Sequence, residues 1–144
     1  MFNFSRCTIA HELPRKLNMP RTHERLFLVD PRVQQAINLL AEDLGRPFDL
    51  NALAAHMNLS PSRLRHLFKE ETGMTPAQFL KRLRIEGARK LLEGSILRLK
   101  DVMPRVGVTD ESHFVTDFKK AHGLPPIKYR ELSRKRAEVD SKPR

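Results

Sequence analysis

Two segments of the chain, fifty residues apart, share one pattern. FKEETGMTPAQF begins at Phe68 and FKKAHGLPPIKY begins at Phe118, and the two align without a gap, with Phe, Lys, Gly and Pro identical. Upstream, Leu64 matches Phe114 at the same offset, and further apolar positions match at an offset of 49. Gly and Pro alone are common signals for the end and the start of a helix, but such signals do not explain the match of the apolar positions. The chain therefore predicts a duplicated unit, with one extra residue in its second turn.

The spacing of apolar residues predicts an all-α fold of seven helices. Asp49, Ser60 and Thr75 are predicted N-caps, the last two followed directly by proline. Two short helices joined by a tight turn precede the long helix, and two more follow it, so we expect two helix-turn-helix lobes joined by a long central helix. The predicted helices span residues 32–44, 49–57, 60–73, 75–94, 99–106, 110–123 and 126–132.

Three regions of the chain differ in composition. Residues 1–31 contain Pro14, Pro20 and Pro31 without a sustained apolar period, which predicts a flexible leader. Residues 32–132 carry the helical pattern, and residues 133–144 are predicted to form a basic polar tail. The one cysteine, Cys7, cannot form an internal disulfide, and no Cys/His spacing predicts a metal site. Without an apolar run long enough for a membrane span or signal peptide, we expect a cytoplasmic protein.

Charge narrows the function classes. Lys and Arg number 27 against 17 Asp and Glu, a net charge of +10, which favours a polyanionic partner. Residues 60–92 hold eight basic and three acidic side chains, whereas residues 110–123 hold two and three. The first lobe and the long helix are therefore the expected anchor. An enzyme using Cys7 is disfavoured because only Arg6 lies beside it to activate the thiol, and no cofactor is expected.

The second helix of the first lobe is the predicted DNA reader. Burial of its apolar stripe leaves a polar face that fits the major groove. Arg65, His66 and Ser62 are candidates for base edges, and Arg63 and Lys69 for base edges or phosphate. A solvated surface face is the alternative. Further candidates for phosphate contact are Arg82, Arg84, Arg89, Lys90, Lys119 and Lys120, although several could instead pair with Glu86 and Glu93 at helical spacing.

The second lobe is predicted to be the weaker reader. Its candidate residues are Ser112, His113, Val115 and Thr116. Asp110 and Glu111 suit a helix N-terminus, but Asp117 fits poorly beside phosphates. Pro104 falls within the preceding helix, where proline removes a hydrogen bond. With a central helix of about 27 Å, two lobes could read successive major-groove segments about 34 Å apart.

The motifs LAAHMNLSPSRLRHLFKEETGMTPAQFL, RLRIEGARKLL and VGVTDESHFVTDFKKAHGLPPIKYR resemble the DNA-binding domain of the AraC/XylS family of bacterial transcription regulators, across about residues 32–132. The resemblance implies sequence-specific binding to double-stranded promoter DNA, with activation through RNA polymerase. It places Ser62, Arg65 and His66 at base-reading positions of the first lobe, and the four candidates named above at those of the second.

The sequence departs from the family pattern at several positions. Thr116 stands where the family commonly has Arg, Val108 replaces an aromatic residue, and Pro125 replaces Ser or Thr. The leader is too short for the sensor domain of many members, so we expect a stand-alone form or a fragment with no small-molecule effector. A nonspecific, charge-driven nucleic-acid or nucleoid-binding protein is the alternative function.

Overall fold

The computed structural model describes residues 30–141, and seven α-helices account for their regular structure. These are α1 (Pro31–Glu42), α2 (Leu50–His56), α3 (Pro61–Thr72), α4 (Pro76–Gly94), α5 (Leu99–Arg105), α6 (Glu111–His122) and α7 (Pro126–Asp140). The predicted all-α fold is confirmed. Within the described part of the chain, none of the helices is both long and apolar enough to cross a membrane. Cys7 and all but the last two residues of the predicted leader lie outside that part.

Side-chain caps begin the helices where the sequence predicts them. An Asp49 oxygen accepts hydrogen bonds from the backbone N–H groups of Asn51 and Ala52, at 2.9 and 3.1 Å. The hydroxyl of Ser60 accepts from the N–H of Arg63 at 3.2 Å, with Pro61 as the first residue of α3. These caps satisfy amide groups that have no partner inside the helix.

The described chain divides into two compact units. The first contains Pro47–Lys81 together with the residues up to Asp43, and the second contains Leu44–Arg46 and the chain from Arg82 onward. In the first unit, α3 packs against α1 and α2 and buries Leu64 and Phe68 completely. In the second, α6 packs against α7, and the core comprises Ile85, Ala88, Leu92, Leu99, Val102, Met103, Val106, Phe114 and Phe118.

The sequence repeat is a structural repeat. Phe68 and Phe118 are both fully buried, and each meets the aromatic ring eleven residues later nearly edge-on. The ring centroids lie 5.3 Å apart for Phe68 and Phe79, and 5.5 Å apart for Phe118 and Tyr129. Gly73 and Gly123 end α3 and α6 with φ of 75° and 79°. The same local geometry therefore closes both lobes.

The turns inside the two lobes also correspond, at an offset of 49. Each turn has one residue with positive φ, Asn58 at 53° and Gly107 at 71°. The N–H of Leu59 donates to the carbonyl of Ala54 at 3.0 Å, and that of Val108 donates to Met103 at 2.9 Å. This six-to-one bond is the helix-ending Schellman pattern. The second turn contains one more residue before its N-cap, as the change of offset predicts.

Two helix ends differ from the sequence prediction. α1 ends at Glu42, so Leu44 lies beyond it and packs against the core of the second unit. α7 continues past Leu132 to Asp140, so most of the predicted polar tail is helical. Polar residues with good helix propensity can extend a helix without any apolar stripe, which periodicity cannot detect. Pro104 does lie within α5, as expected.

Candidate nucleic-acid interface

One side of α3 is polar and open to solvent. The five residues singled out by the sequence, Ser62, Arg63, Arg65, His66 and Lys69, are all exposed. The opposite side buries Leu64, Leu67 and Phe68 in the first core. Ser62, Arg65, His66 and Lys69 follow one another at helical spacing and share a face. The structure therefore places the predicted first-lobe residues together, on the second helix of the motif.

His66 has a partner that the sequence analysis missed. Its Nε2 lies 3.1 Å from a carboxylate oxygen of Glu70, one turn further along α3. The spacing of four residues between His66 and Glu70 could have indicated this pair, because side chains four apart are neighbours on a helix. Glu70 orients the imidazole and is itself exposed on the same surface. It adds an acceptor to a face whose other members, apart from Ser62, are cations or imidazole.

The second lobe presents a chemically poorer face on α6. At the offset of fifty residues, Ser112 corresponds to Ser62, Thr116 to His66 and Lys119 to Lys69, and all are exposed. Val115 takes the position of Arg65 and is half-buried against the second core. The guanidinium of the first lobe thus has no counterpart on α6. The weaker reading of DNA by the second lobe stays a prediction.

Two polar groups of α6 are engaged in building the helix. Asp110 accepts from the backbone N–H of His113 at 2.9 Å, and its other oxygen lies 3.0 Å from Nδ1 of the same residue. That backbone hydrogen bond, followed by the side-chain bond, lowers the pKa of Asp110. The hydroxyl of Thr116 donates to the carbonyl of Ser112 at 2.9 Å. Asp110 therefore serves as the predicted cap. Asp117 is half-buried and has partners within the protein.

Arg84, a candidate for phosphate contact, is bonded inside the second unit. Its Nε donates to the carbonyl of Leu44 at 3.1 Å, and its Nη2 to the carbonyl of Arg46 at 2.8 Å. Burial lowers the pKa of this guanidinium from its ordinary value, although arginine remains charged at neutral pH. Arg84 therefore holds the chain after α1 in place through two backbone carbonyls.

Arg89 is likewise held within the protein, as the pairing alternative predicted. It donates to Glu86 at 2.9 Å and to Glu93 at 2.8 Å, while the hydroxyl of Tyr129 donates to Glu93 at 2.6 Å. Burial acts to lower the pKa of Arg89, but the hydrogen bonds to Glu86, Tyr129 and Glu93 and the negative charge of Glu86 together outweigh it and raise the pKa. Both phosphate candidates therefore have partners within the protein, and their contact with phosphate stays a prediction.

The other phosphate candidates differ in exposure. Lys119 and Lys120 are exposed on α6, and Lys90 is half-buried. Arg82 is exposed and has a partner within the protein. Among the described residues, no group of His, Cys, Asp and Glu side chains is arranged to hold a metal ion.

Two helix-turn-helix units, each with an exposed second helix, define a protein of the double helix-turn-helix class, whose members place that helix in the major groove. The model of the family described as "Helix-turn-helix domain" matches residues 53–132. The chain belongs to this family, in its AraC type. The family consists of regulators rather than enzymes.

Individual relatives agree with this assignment. The chain is 34% identical over 105 residues to the transcriptional activator RhaR of Cronobacter sakazakii, covering 70% of this chain and 37% of RhaR. The C-terminal domain of AraT, a response regulator from Geobacillus stearothermophilus, is 30% identical with a TM-score of 0.67, over 74% of this chain and 88% of that domain. The chain thus spans about two fifths of the length of the curated relatives it matches.

A solved complex with DNA is also similar. The DNA-binding domain of AdpA, a global transcriptional factor, was crystallised with a target DNA. This chain is 28% identical to it with a TM-score of 0.68, over 73% of this chain and 95% of that domain. The same fold is thus observed with DNA bound in a relative.

Proposed function

We propose that the chain binds specific sequences of double-stranded DNA and regulates transcription, with the first lobe as the dominant reader and the two lobes in successive major grooves. The observation that carries the proposal is the face of α3, where Ser62, Arg65, His66 and Lys69 are exposed together. Arg can bind guanine O6 and N7 through two hydrogen bonds, and Ser and His bond to base edges or phosphate. The AdpA domain bound to DNA supports the same use of the fold.

Selection of bound sites from random duplexes tests the proposal. We expect a sequence motif in two segments about one helical turn apart, with the stronger preference in the segment assigned to α3. A motif of one segment would assign sequence reading to a single lobe. Binding of all duplexes with equal affinity would instead establish the nonspecific, charge-driven alternative, which the net charge of +10 favours.

Arg65→Ala is the sharpest single variant. We expect it to weaken binding to the selected site by about 1 to 3 kcal/mol and to relax the preference at one base position, because a bidentate base contact is lost. Lys69→Ala, on the same face, is the matched control and should weaken selected and random duplexes alike. Titration of both duplexes with both variants measures this. An equal loss on both duplexes for Arg65→Ala would reject base reading by Arg65.

Regulation itself requires a further partner. We propose that the chain acts in the bacterial cytoplasm and activates transcription by contacting RNA polymerase from its bound site. Transcription from a promoter carrying the selected site, with and without the protein, tests this. A fall in transcript on addition of the protein would identify a repressor.

A further inference from the structure

The last two turns of α7 add no buried residue to the core of the second unit. Pro126 is the one residue of α7 that is fully buried; Tyr129 packs against the second core, and Arg130 donates to the carbonyl of Leu97. From Arg134 to Asp140 every residue is exposed. At the offset of fifty residues, this stretch corresponds to Arg84–Lys90 of α4, which builds the second unit. In α7 no residue of the equivalent stretch is buried.

Three consecutive cations lie on this extension: Arg134, Lys135 and Arg136. All three side chains are exposed, and no ion pair among the described residues engages them. Successive helical residues point about 100° apart, so the three cations fan around the helix and present charge to a polyanion approaching from several sides. Arg130 lies four residues before Arg134, and like charges at this spacing destabilise a helix.

The extension belongs to the lobe whose second helix region carries more acidic than basic side chains. The segment 110–123, which contains α6, carries Asp110, Glu111 and Asp117 against Lys119 and Lys120. Phosphate contacts supply most of the sequence-independent affinity of a DNA-binding protein, so this lobe needs cations from another element. α7 packs directly against α6 within the same unit.

We propose that residues 133–140 of α7 are a DNA-backbone-binding element, in which Arg134, Lys135 and Arg136 contact phosphates beside the groove segment occupied by α6. The proposal rests on the proposed function. Charge complementarity selects the partner. Residues 133–140 carry three cations against Glu138 and Asp140, and the cations are exposed and form no ion pair among the described residues. A duplex offers one negative charge per about 1.7 Å of its axis. Phosphate binding offsets the repulsion between Arg134 and Arg130 and adds to the two cations of α6.

The variant Arg134→Gln/Lys135→Gln/Arg136→Gln in the full chain tests the element. Glutamine keeps the helix propensity and removes the charges, so circular dichroism and thermal unfolding should be unchanged. We expect the slope of log affinity against log salt concentration to become shallower by at least one and up to about three, since each phosphate contact contributes about one. The loss should be equal on the selected site and on a mixed-sequence duplex, which leaves the ratio of the two affinities unchanged.

The double variant Arg134→Lys/Arg136→Lys is the matched control, and it should keep the slope of the parent because charge is retained. If the triple glutamine variant had the same salt slope as the parent protein, the proposal would be overturned. If the parent protein bound all duplexes without sequence preference, the proposed function would be overturned, and the slope test would still apply on the mixed-sequence duplex. Leu132 and Val139 are also exposed, at 44% and 73%, as in a membrane-surface helix. Binding to phosphatidylserine vesicles that the triple variant loses, with an unchanged DNA slope, would assign the element to membranes and overturn the proposal.

Discussion

Two separate effects restrict which residue can stand at Gly107: its backbone conformation and the atoms packed around it. Its φ of 71° favours a residue without a side chain, but Asn58 adopts a similar value at the equivalent turn of the first lobe. Asparagine tolerates this conformation better than most residues do. At Gly107 a Cβ atom would also clash with the carbonyl oxygen of Leu44 and lie 2.8 Å from Nη2 of Arg84. The second lobe therefore needs glycine because of packing as well as backbone conformation.

Gly107→Ala should destabilise the protein more than Gly123→Ala. Both glycines have positive φ, but an added Cβ at Gly123 meets no atom within 4 Å. We expect a loss of about 1 to 2 kcal/mol at Gly123 from backbone conformation alone. Gly107→Ala should lose about a further 1 kcal/mol or more, because the new methyl group overlaps the Leu44 carbonyl and the Arg84 guanidinium. Urea unfolding of the two variants measures the difference, and equal losses would show that the turn relaxes around the new methyl group.

At the scale of the element, local signals determine where helices begin. The caps at Asp49, Ser60 and Asp110 each accept backbone hydrogen bonds where the sequence predicts a helix start. Thr75 and Gln78 cap each other's backbone N–H groups at 3.0 and 3.3 Å. Such motifs are read from residues three apart, so no tertiary information is needed to find them.

Ser60→Ala should weaken the helix that carries the predicted reading face. Loss of the hydroxyl leaves the N–H of Arg63 without its capping partner. We expect a loss in unfolding free energy of about 0.5 to 2 kcal/mol, measured by urea denaturation. Ser60→Asn, which also caps helices well, is the control and should stay close to the parent. If the two variants lost the same free energy, the hydroxyl would have another role.

Helix ends and helix faces were predicted unequally well. The apolar faces of α2, α3 and α6 followed from periodicity, because burial on one side of a helix imposes a 3.6-residue repeat. The end of α7 did not, since its last two turns bury almost nothing and carry no such repeat. Leu44 fitted the periodicity of α1, yet it lies in the core of the second unit. Which core buries an apolar residue that follows a helix depends on the path of the chain, and local periodicity does not give that path.

At the scale of the molecule, the second unit contains a polar cluster at the edge of its core. The ring of His122 lies 4.6 Å from that of Phe118 and 5.5 Å from that of Tyr129. Its Nε2 is buried without a hydrogen bond and lies 3.4 Å from a Glu86 oxygen. Burial lowers the pKa of His122, and Arg89 lowers it further, although Glu86 and Glu93 act in the opposite direction. The folded protein therefore favours the neutral imidazole.

Acid should destabilise the protein in a window set by His122. Because its folded pKa lies below the ordinary value of 6.5, the stabilisation is complete above pH 6.5 and is lost as the pH falls toward the folded pKa. Urea unfolding across this range measures the loss. His122→Gln cannot titrate, and we expect its stability to depend less on pH. The same dependence in this variant would assign the effect to other groups. The pKa of Asp110 is also lowered, so its stabilisation is complete above pH 3.8 and is lost only below that pH, outside the window of His122.

The sequence alone was sufficient to predict the duplication, the seven helices, four of their N-caps and the exposed face of α3. Each of these depends on residues within about two turns of one another, or on a repeat visible in the chain itself. Only the tertiary structure decided which cations remain available to a ligand. Arg84 bonds to carbonyls 38 and 40 residues away, and Arg89 shares Glu93 with Tyr129, 36 residues from that glutamate. Those partners meet only after folding, because hydrogen bonds and ion pairs depend on distance in space, and no local periodicity records them.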